Sequence, residues 1–296
     1  MYLSSQELQP IFKWFVFYIS SMRLSKRFIL VSLCLASLGV AVVYWRTVAS
    51  SKEFILAEFS SRGIPFIQQV YATKYGAIES VKIGKEGYPK LLLIHGSPGD
   101  WTAWKELLFA TSIAHEYQII AFTRLGYENS NRVGYPLKTQ STALASLIRE
   151  HCSPCIVMGH SYGGALALQL GIDYPDHFSK IISLAGTIAA PYQHPRWYNR
   201  MAQNWLIYSM LPTDFRVSNQ EMLILSKDLF LLNNSWERLM PEVVLWQGGA
   251  DILVDPNSPF YLLSKVSTAR LVFEEQADHF LIWNNINAVE KLLLHH

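Results

Sequence analysis

A serine, an aspartate and a histidine that could form a catalytic triad occur in this order along the chain. Ser161 lies in a G-x-S-x-G motif at residues 159–163, and Asp251 and His279 follow it. A serine hydroxyl attacks weakly until a base takes its proton, and the base needs a carboxylate to orient it. The order serine, acid, base is one of the known arrangements of such a triad. The sequence therefore predicts Ser161 as nucleophile, Asp251 as orienting acid and His279 as base.

Other carboxylates and histidines fit these roles less well. Asp255 precedes Pro256, a pair typical of a turn. Asp278 is adjacent to His279, and neighbouring side chains rarely meet in the required geometry. Four other candidate histidines precede the acid or end the chain: His177, His194, His295 and His296.

A loop that could bind the negative charge of acyl transfer precedes the nucleophile. Residues 95–99 read H-G-S-P-G and follow an apolar run. Backbone N–H groups that receive an oxyanion commonly contribute several kcal/mol. We predict the amides of Ser97 and Tyr162 as these donors, with His95 and Gly96 shaping the loop.

The glycines of the serine motif suit a sharp strand-to-helix turn. Gly159 ends an apolar run and Gly163 begins a helical pattern, so both relieve crowding around an exposed serine. A phosphate-binding loop is the alternative, because Gly159 and Gly164 have the required spacing. The Lys-Ser/Thr pair that would bind phosphate and magnesium is missing, which argues against it.

Trp101 and Trp104 follow the predicted oxyanion loop closely. They either line an apolar substrate pocket or pack in the core, and we predict that they bind substrate.

Short apolar runs alternate with helical patterns, which predicts a mostly parallel sheet covered by helices on both faces. The predicted strands are Ile78–Ile83, Leu91–His95, Gln118–Thr123, Cys155–Gly159, Lys180–Leu184, Val243–Trp246 and Ala269–Phe273. The predicted helices are Trp104–Ala114, Thr139–His151, Gly163–Tyr174 and Asn285–Leu294, after a connecting helix within Val48–Gln69. Residues 187–242 are rich in aromatics without a good strand, and we predict a helical cap there.

The N-terminal residues carry the only clear membrane signal. Phe28–Trp45 contains no charge and has the length of a membrane-spanning helix. Four basic residues against one acidic residue precede it, which predicts a cytoplasmic N-terminus and a translocated catalytic portion. A cleaved signal peptide is the alternative, and the protein would then be secreted.

The chain accordingly divides into five predicted parts. These are a cytoplasmic segment (1–27), an anchor or signal segment (28–45), a linker with a helix leading into the core (46–77), the core (78–186 and 243–296) and the cap (187–242).

Beyond residue 27 the formal charge is close to zero, so no basic face for nucleic acid is expected. Cys152 and Cys155 form a C-x-x-C, too few thiols for zinc, and either pair as a structural disulfide or remain free.

These motifs together resemble the α/β-hydrolase superfamily. The resemblance runs from about Ile78 to the C-terminus and favours the branch with an H-G-x-P-G loop, which includes capped esterases, proline iminopeptidases and epoxide hydrolases. It implies a serine hydrolase that needs neither metal nor cofactor. The epoxide hydrolases of this branch carry aspartate at the nucleophile position, where this chain has Ser161. The loop Thr123–Ser130 also resembles the family, with an altered start and a missing glycine.

The leading expectation is hydrolysis of a small-molecule carboxylic ester through an acyl-enzyme. The membrane segment and aromatic cap favour an apolar, lipid-derived acyl group. An aminopeptidase is the first alternative, in which a cap carboxylate holds the substrate ammonium: Asp214, Glu221, Asp228, Glu237 or Glu242. A catalytically silent, anchored binding protein is the second.

Overall fold

An eight-stranded sheet forms the centre of residues 52–294, the part of the chain that the computed structural model describes. The strands are β1 (Phe66–Thr73), β2 (Gly76–Ile83), β3 (Lys90–Ile94), β4 (Gln118–Phe122), β5 (Cys155–His160), β6 (Phe178–Leu184), β7 (Glu242–Gly248) and β8 (Ala269–Glu274). Their order across the sheet is β1-β2-β4-β3-β5-β6-β7-β8. β1 pairs antiparallel with β2, and β2 with β4, whereas all other pairs are parallel.

The central strands are buried on both faces. Every residue of β4 and β5 is buried, as is the run Leu91–Ile94 in β3. Such continuous apolar runs form where helices cover both sides of a parallel sheet. The predicted mostly parallel sheet is therefore confirmed.

Helices pack on both faces of this sheet. They are α1 (Lys52–Ser61), α2 (Lys105–Phe109), α3 (Thr111–Ala114), α4 (Leu137–Ala143), α5 (Ala145–His151), α6 (Tyr162–Asp173), α7 (Trp197–Met201), α8 (Trp205–Met210), α9 (Thr213–Asn233), α10 (Ser258–Leu263), α11 (Leu281–Asn284) and α12 (Ile286–Leu294). Side chains from α4, α5, α6 and α9 form one apolar cluster. Side chains from α1, α2, α3 and α12 form the other.

The segment before the core was predicted incorrectly. Residues 46–77 were expected to hold a linker and a helix, but the helix ends at Ser61 and β1 follows at Phe66–Thr73. β1 is an edge strand whose only fully buried side chain is Tyr71. It lacks the apolar run that identifies a buried strand, because one edge and most of its side chains face solvent.

Two predicted helices are each divided in the structure. The helix expected over Trp104–Ala114 is a 3-10 turn followed by α2 and α3, with Ala110 extended between them. The helix expected over Thr139–His151 is α4 and α5, which meet at Leu144. Their apolar periodicity continues across each junction, so the sequence pattern does not show the break.

The aromatic stretch between β6 and β7 contains helices and turns and no strand among its described residues. We call residues 187–241 the helical insertion; it contains α7, α8 and α9. None of the described helices is long and apolar enough to span a membrane. The predicted membrane segment Phe28–Trp45 lies outside the described residues.

Cys152 and Cys155 form a disulfide directly before β5. Both side chains are buried. The ~3.3 Å rise per strand residue separates Cys155 from Ser161 by roughly 20 Å, so the bond lies at the opposite end of β5 from the serine.

Candidate active site

Ser161 stands on a sharp turn between β5 and α6. Its backbone has φ +54° and ψ −118°, a conformation that side-chain-bearing residues rarely adopt. The turn is held by a hydrogen bond from Ser161 N to Leu184 O of 2.9 Å. The serine side chain is partly exposed, so this strained geometry presents a hydroxyl at the carboxyl end of the sheet.

Two glycines allow the turn to close. A Cβ on Gly159 would lie 2.0 Å from Gly163 O, and a Cβ on Gly163 would lie 2.3 Å from Ile94 O. Real Cβ atoms do not approach backbone this closely. Glycine at both positions therefore lets β3, β5 and α6 meet beneath the serine.

Asp251 and His279 contact each other directly. His279 Nδ1 lies 2.8 Å from Asp251 Oδ2, and both side chains are buried. Asp251 Oδ1 accepts hydrogen bonds of 2.8 Å from the N–H groups of Leu253 and Val254. Burial raises the pKa of Asp251, but the hydrogen bond from His279 and these amides outweigh it and lower that pKa below its usual value. The acid therefore stays ionised, and the pairing engages Nδ1 of the His279 ring, so that Nε2 is the ring nitrogen directed away from Asp251.

His160 connects the serine turn to the base. Its Nε2 donates to His279 O over 2.9 Å, and its ring centroid lies 4.8 Å from that of His279. Burial, together with the neighbouring His279, lowers the pKa of His160 to about 3, so the ring is neutral at ordinary pH. The sequence did not single out His160, although it occupies the variable position before the serine.

The buried neutral ring of His160 predicts a pH-dependent stability. Its pKa is about 6.5 in the unfolded chain and about 3 in the folded protein, so the unfolded state binds the proton first. The free energy of unfolding should therefore fall between pH 6.5 and 3, by up to about 1.4 kcal/mol per pH unit for this group. His160→Gln retains an N–H donor but does not titrate, and should reduce that slope. Urea denaturation at pH 7, 6 and 5 tests this, and equal slopes in both proteins would contradict it.

The predicted oxyanion loop passes beside the serine. A Cβ on Gly96 would lie 3.3 Å from Ser161 Cβ. Tyr162 is the first residue of α6, so its N–H has no carbonyl partner within the helix. His95 Nε2 accepts from Arg124 N over 2.9 Å, which leaves Nδ1–H to donate to Gly96 O over 2.7 Å. The structure thus gives His95 the loop-shaping contacts expected of it.

The rival carboxylates have other partners. Asp255 Oδ1 accepts from Asn257 N over 2.9 Å, closing the expected turn. Asp278 Oδ1 accepts from Phe280 N over 2.8 Å. Neither carboxylate occupies the position on His279 Nδ1 that Asp251 takes.

The profile of the Alpha/beta hydrolase family matches residues 91–290, which include all of these groups. The chain belongs to the alpha/beta hydrolase family. Curated relatives of this family match over shorter stretches. Epoxide hydrolase 4 of Mus musculus is 29% identical over 107 residues, 34% of this chain and 29% of that protein. Epoxide hydrolase 1 of Caenorhabditis elegans is 25% identical over 199 residues, 60% of this chain and 49% of that protein. The chain spans less than half the length of both relatives.

Solved structures share the alpha/beta hydrolase fold at low identity. A 2-hydroxy-6-oxo-6-phenylhexa-2,4-dienoate hydrolase from Rhodococcus matches with TM-score 0.62 and 17% identity over 79% of this chain and 99% of that one. A bacterial membrane phospholipase A matches with TM-score 0.61 and 16% identity over 91% and 97%. Carboxylesterase CesB from Bacillus subtilis matches with TM-score 0.61 and 14% identity over 81% and 94%. These likenesses establish the fold.

The assignment of Trp101 and Trp104 to substrate binding is not supported by their position. Their side chains are 0% and 1% exposed and pack in the core with Leu91 and Leu93. The 3-10 turn at residues 101–104 directs both rings inward. They are core residues of this alpha/beta hydrolase.

Trp104→Phe tests that correction. The indole N–H of Trp104 has no hydrogen-bond partner, so the change removes volume and no polar contact. We expect the free energy of unfolding to fall by about 1–2 kcal/mol and KM to stay within about twofold of wild type. Chemical denaturation and steady-state kinetics on one preparation measure both. A large rise in KM at unchanged stability would contradict the correction and indicate that Trp104 contacts the substrate.

Two charged residues near the site were not assigned to it from the sequence. Arg124 lies in the loop after β4, whose altered pattern was noted, and Glu221 was considered only as a ligand for a substrate ammonium. The structure joins them in a buried ion pair next to the oxyanion loop. Within residues 52–294, no cluster of three His, Cys, Asp or Glu side chains could hold a metal ion.

Proposed function

We propose that this alpha/beta hydrolase is a serine esterase that cleaves carboxylic esters through an acyl-enzyme. The observation that carries the proposal is the assembly of Ser161 on a strained, partly exposed turn with the Asp251–His279 pair, which is 2.8 Å apart. His160 joins the two parts, since it precedes the serine and binds the backbone of the base.

The geometry supports the following steps. His279 Nε2 accepts the hydroxyl proton as Ser161 Oγ bonds to the ester carbonyl carbon, while Asp251 stabilises the imidazolium. The N–H groups of Ser97 and Tyr162 receive the oxyanion. The tetrahedral intermediate collapses, the alcohol leaves with the proton from His279, and the acyl group remains on Ser161. His279 then activates a water that releases the carboxylic acid.

The residue at position 161 favours ester over epoxide cleavage, although epoxide hydrolases are among the relatives. Attack of a carboxylate on an epoxide gives an ester that water can cleave. Attack of Ser161 would give an ether, which no group in this site can hydrolyse. Attack of Ser161 on an acyl substrate gives an ester, which water can cleave to free the serine again.

The acidic residues considered for an aminopeptidase are mostly engaged elsewhere. Glu221 pairs with Arg124 at 2.6 Å, and Asp214 pairs with Arg132 at 2.7 Å. Asp228 accepts from a backbone amide, and Glu242 pairs with Lys180 and Arg270. Glu237 lies exposed on the insertion. At the other four carboxylates a substrate ammonium would compete with an existing partner, which favours the esterase.

Exposed apolar side chains lie next to the proposed acid and base. Ile252 and Leu253 follow Asp251, and Phe280 and Trp283 follow His279; their exposed fractions are 81%, 44%, 47% and 37%. A group of exposed apolar side chains is typical of a surface that binds an apolar ligand. We propose an apolar, lipid-derived acyl group, with the helical insertion as a cap over it.

We also propose that Phe28–Trp45 anchors the chain with its catalytic portion on the extracytoplasmic side. The disulfide between Cys152 and Cys155 supports this location, because disulfides persist in oxidising compartments. A C-terminal alkaline phosphatase fusion, active only when translocated, tests it. An inactive fusion that is expressed at full length would contradict the orientation.

A fluorophosphonate probe tests the nucleophile. Wild type should be labelled at Ser161, and Ser161→Ala should not be labelled. Ser264→Ala is the matched control, since this exposed serine makes only a local bond to Tyr261 O. Labelling that persists in Ser161→Ala would refute the assigned nucleophile.

A substrate panel then tests the bond that is cleaved. Esters of short and long acyl chains, phospholipids, aminoacyl amides and an epoxide are offered to unlabelled wild-type protein from the same preparation. Faster turnover of the esters supports the proposal. A preference for the amides or the epoxide contradicts it, and a folded wild type that is neither labelled nor active favours the silent binding protein.

A further inference from the structure

A fully buried ion pair lies directly behind the oxyanion loop. Arg124 Nη1 is 2.6 Å from Glu221 Oε1, and both side chains are 0% exposed. Arg124 Nη2 donates to Glu221 Oε2 over 3.2 Å, so the pair is bidentate. Removing two charges from water is costly and often adds nothing to stability. The proposed esterase mechanism uses neither residue, so the pair calls for a further role.

Glu221 also accepts hydrogen bonds from other groups. Ser97 Oγ donates to its Oε2 over 2.6 Å and Tyr127 OH over 2.8 Å, and Gln140 Nε2 donates to its Oε1 over 2.9 Å. These donors satisfy the lone pairs that the bidentate arginine leaves. One of them, Ser97, supplies the backbone N–H assigned to the oxyanion.

Arg124 binds the same loop through its main chain. Its Nε donates to His95 O over 3.1 Å, and its Nη2 donates to Gly96 O over 2.8 Å. Together, Arg124 and Glu221 therefore contact three consecutive residues: His95 and Gly96 through carbonyls, and Ser97 through its hydroxyl.

The hydrogen bonds that Arg124 Nη2 and His95 Nδ1 donate to Gly96 O determine where the Ser97 amide points. The Gly96 carbonyl and the Ser97 N–H belong to one planar peptide unit, and in the trans form they point in opposite directions. With Gly96 O held toward the Arg124 guanidinium, the Ser97 N–H is turned away from it. The rotation of this peptide is the movement that would remove the donor from the oxyanion.

We propose that Glu221 is a positioning residue that, through Arg124 and the Ser97 hydroxyl, fixes the Ser97 amide for oxyanion binding. This inference rests on the proposed esterase function. Glu221 lies on α9, in the helical insertion. The insertion thereby completes the oxyanion hole, in addition to any part it takes as a cap.

Glu221→Gln tests the proposal, because it keeps the shape of the side chain and removes its charge. A misplaced donor weakens the transition state and leaves substrate binding almost unchanged. We expect kcat to fall about 10- to 100-fold with KM within about threefold of wild type. Affinity for a trifluoromethyl ketone, which forms an oxyanion on Ser161, should fall by the same factor as kcat/KM.

Asp214→Asn is the matched control. Asp214 lies on the same helix and pairs with Arg132 in the loop that also contains Arg124, but this ion pair is partly exposed, with Arg132 at 43% and Asp214 at 24%. Asp214→Asn therefore removes an ion pair between the same helix and the same loop, but from a partly exposed position. We expect its kcat and ketone affinity to equal those of wild type within about twofold.

Ser97→Ala keeps the proposal testable if Glu221→Gln does not fold. It retains the backbone N–H and removes the hydroxyl with its contacts to Glu221, Tyr127 and Ser218, and should lower kcat severalfold at constant KM. A folded Glu221→Gln variant whose kcat and ketone affinity equal those of wild type would overturn the proposal. If only Ser97→Ala folds, the same result for that variant would overturn it. So would a rise in KM at constant kcat. Wild type that is not labelled and cleaves no ester would instead refute the proposed function.

Discussion

Replacing His279 with glutamine should lower kcat for ester hydrolysis by about 10⁴- to 10⁶-fold. Glutamine occupies similar space, yet it cannot take the proton from Ser161 or return it to the leaving alcohol. KM should change little, because the base contributes to the transition state and not to substrate binding. Steady-state kinetics of the purified variant, with its circular dichroism spectrum, measure the effect on a folded protein.

Asp251→Asn is the companion change and should cost about 10⁴-fold in kcat. The carboxylate accepts the Nδ1 proton of His279 over 2.8 Å, and an amide nitrogen in its place would favour the wrong tautomer. Asp255→Asn and Asp278→Asn are controls, because these carboxylates bind only local groups. A tenfold or larger loss in either control, or near wild-type activity in Asp251→Asn, would contradict the assigned acid.

The sequence could place the three members of the proposed triad at one edge of the sheet because each lies at a recognisable local junction. Ser161 joins an apolar strand to a helix, and Asp251 follows the apolar strand β7 through a glycine turn. His279 comes between the last strand and the terminal helices. Carboxyl ends of parallel strands meet at one edge of the sheet, so three local patterns converge on one place.

The Arg124–Glu221 pair could not be predicted in this way. The two residues are 97 positions apart, and the pattern around Glu221 is that of any amphipathic helix. Only the packing of α9 against the loop after β4 brings them together.

Trp101 and Trp104 show the same limit. Their sequence fits a core or a pocket equally, and the backbone turn determines that their side chains point into the core. β1 was missed because an exposed edge strand carries no continuous apolar signal.

Gly159→Ala is expected to have the largest effect on stability. A methyl group there would lie 2.0 Å from Gly163 O and 2.2 Å from Gly163 C, and both are backbone atoms of α6. Neither can rotate away, because β5 is held between β3 and β6 and α6 packs on the same strands. The free energy of unfolding should fall by more than about 4 kcal/mol, near the total stability of many domains. Loss of soluble protein, or a much lower urea midpoint together with loss of fluorophosphonate labelling, is the expected result.

Gly63→Ala separates steric overlap from backbone strain. Gly63 has φ +66°, a conformation unfavourable to alanine, but no atom lies within 4 Å of a Cβ placed there. It should cost about 1–2 kcal/mol and leave labelling of Ser161 unchanged. If Gly159→Ala were no more costly than Gly63→Ala, the close approach of β5 to α6 would be wrong. The strained turn that presents Ser161 would then lack its structural basis, since the glycine contact is what brings the strand and helix together beneath the serine.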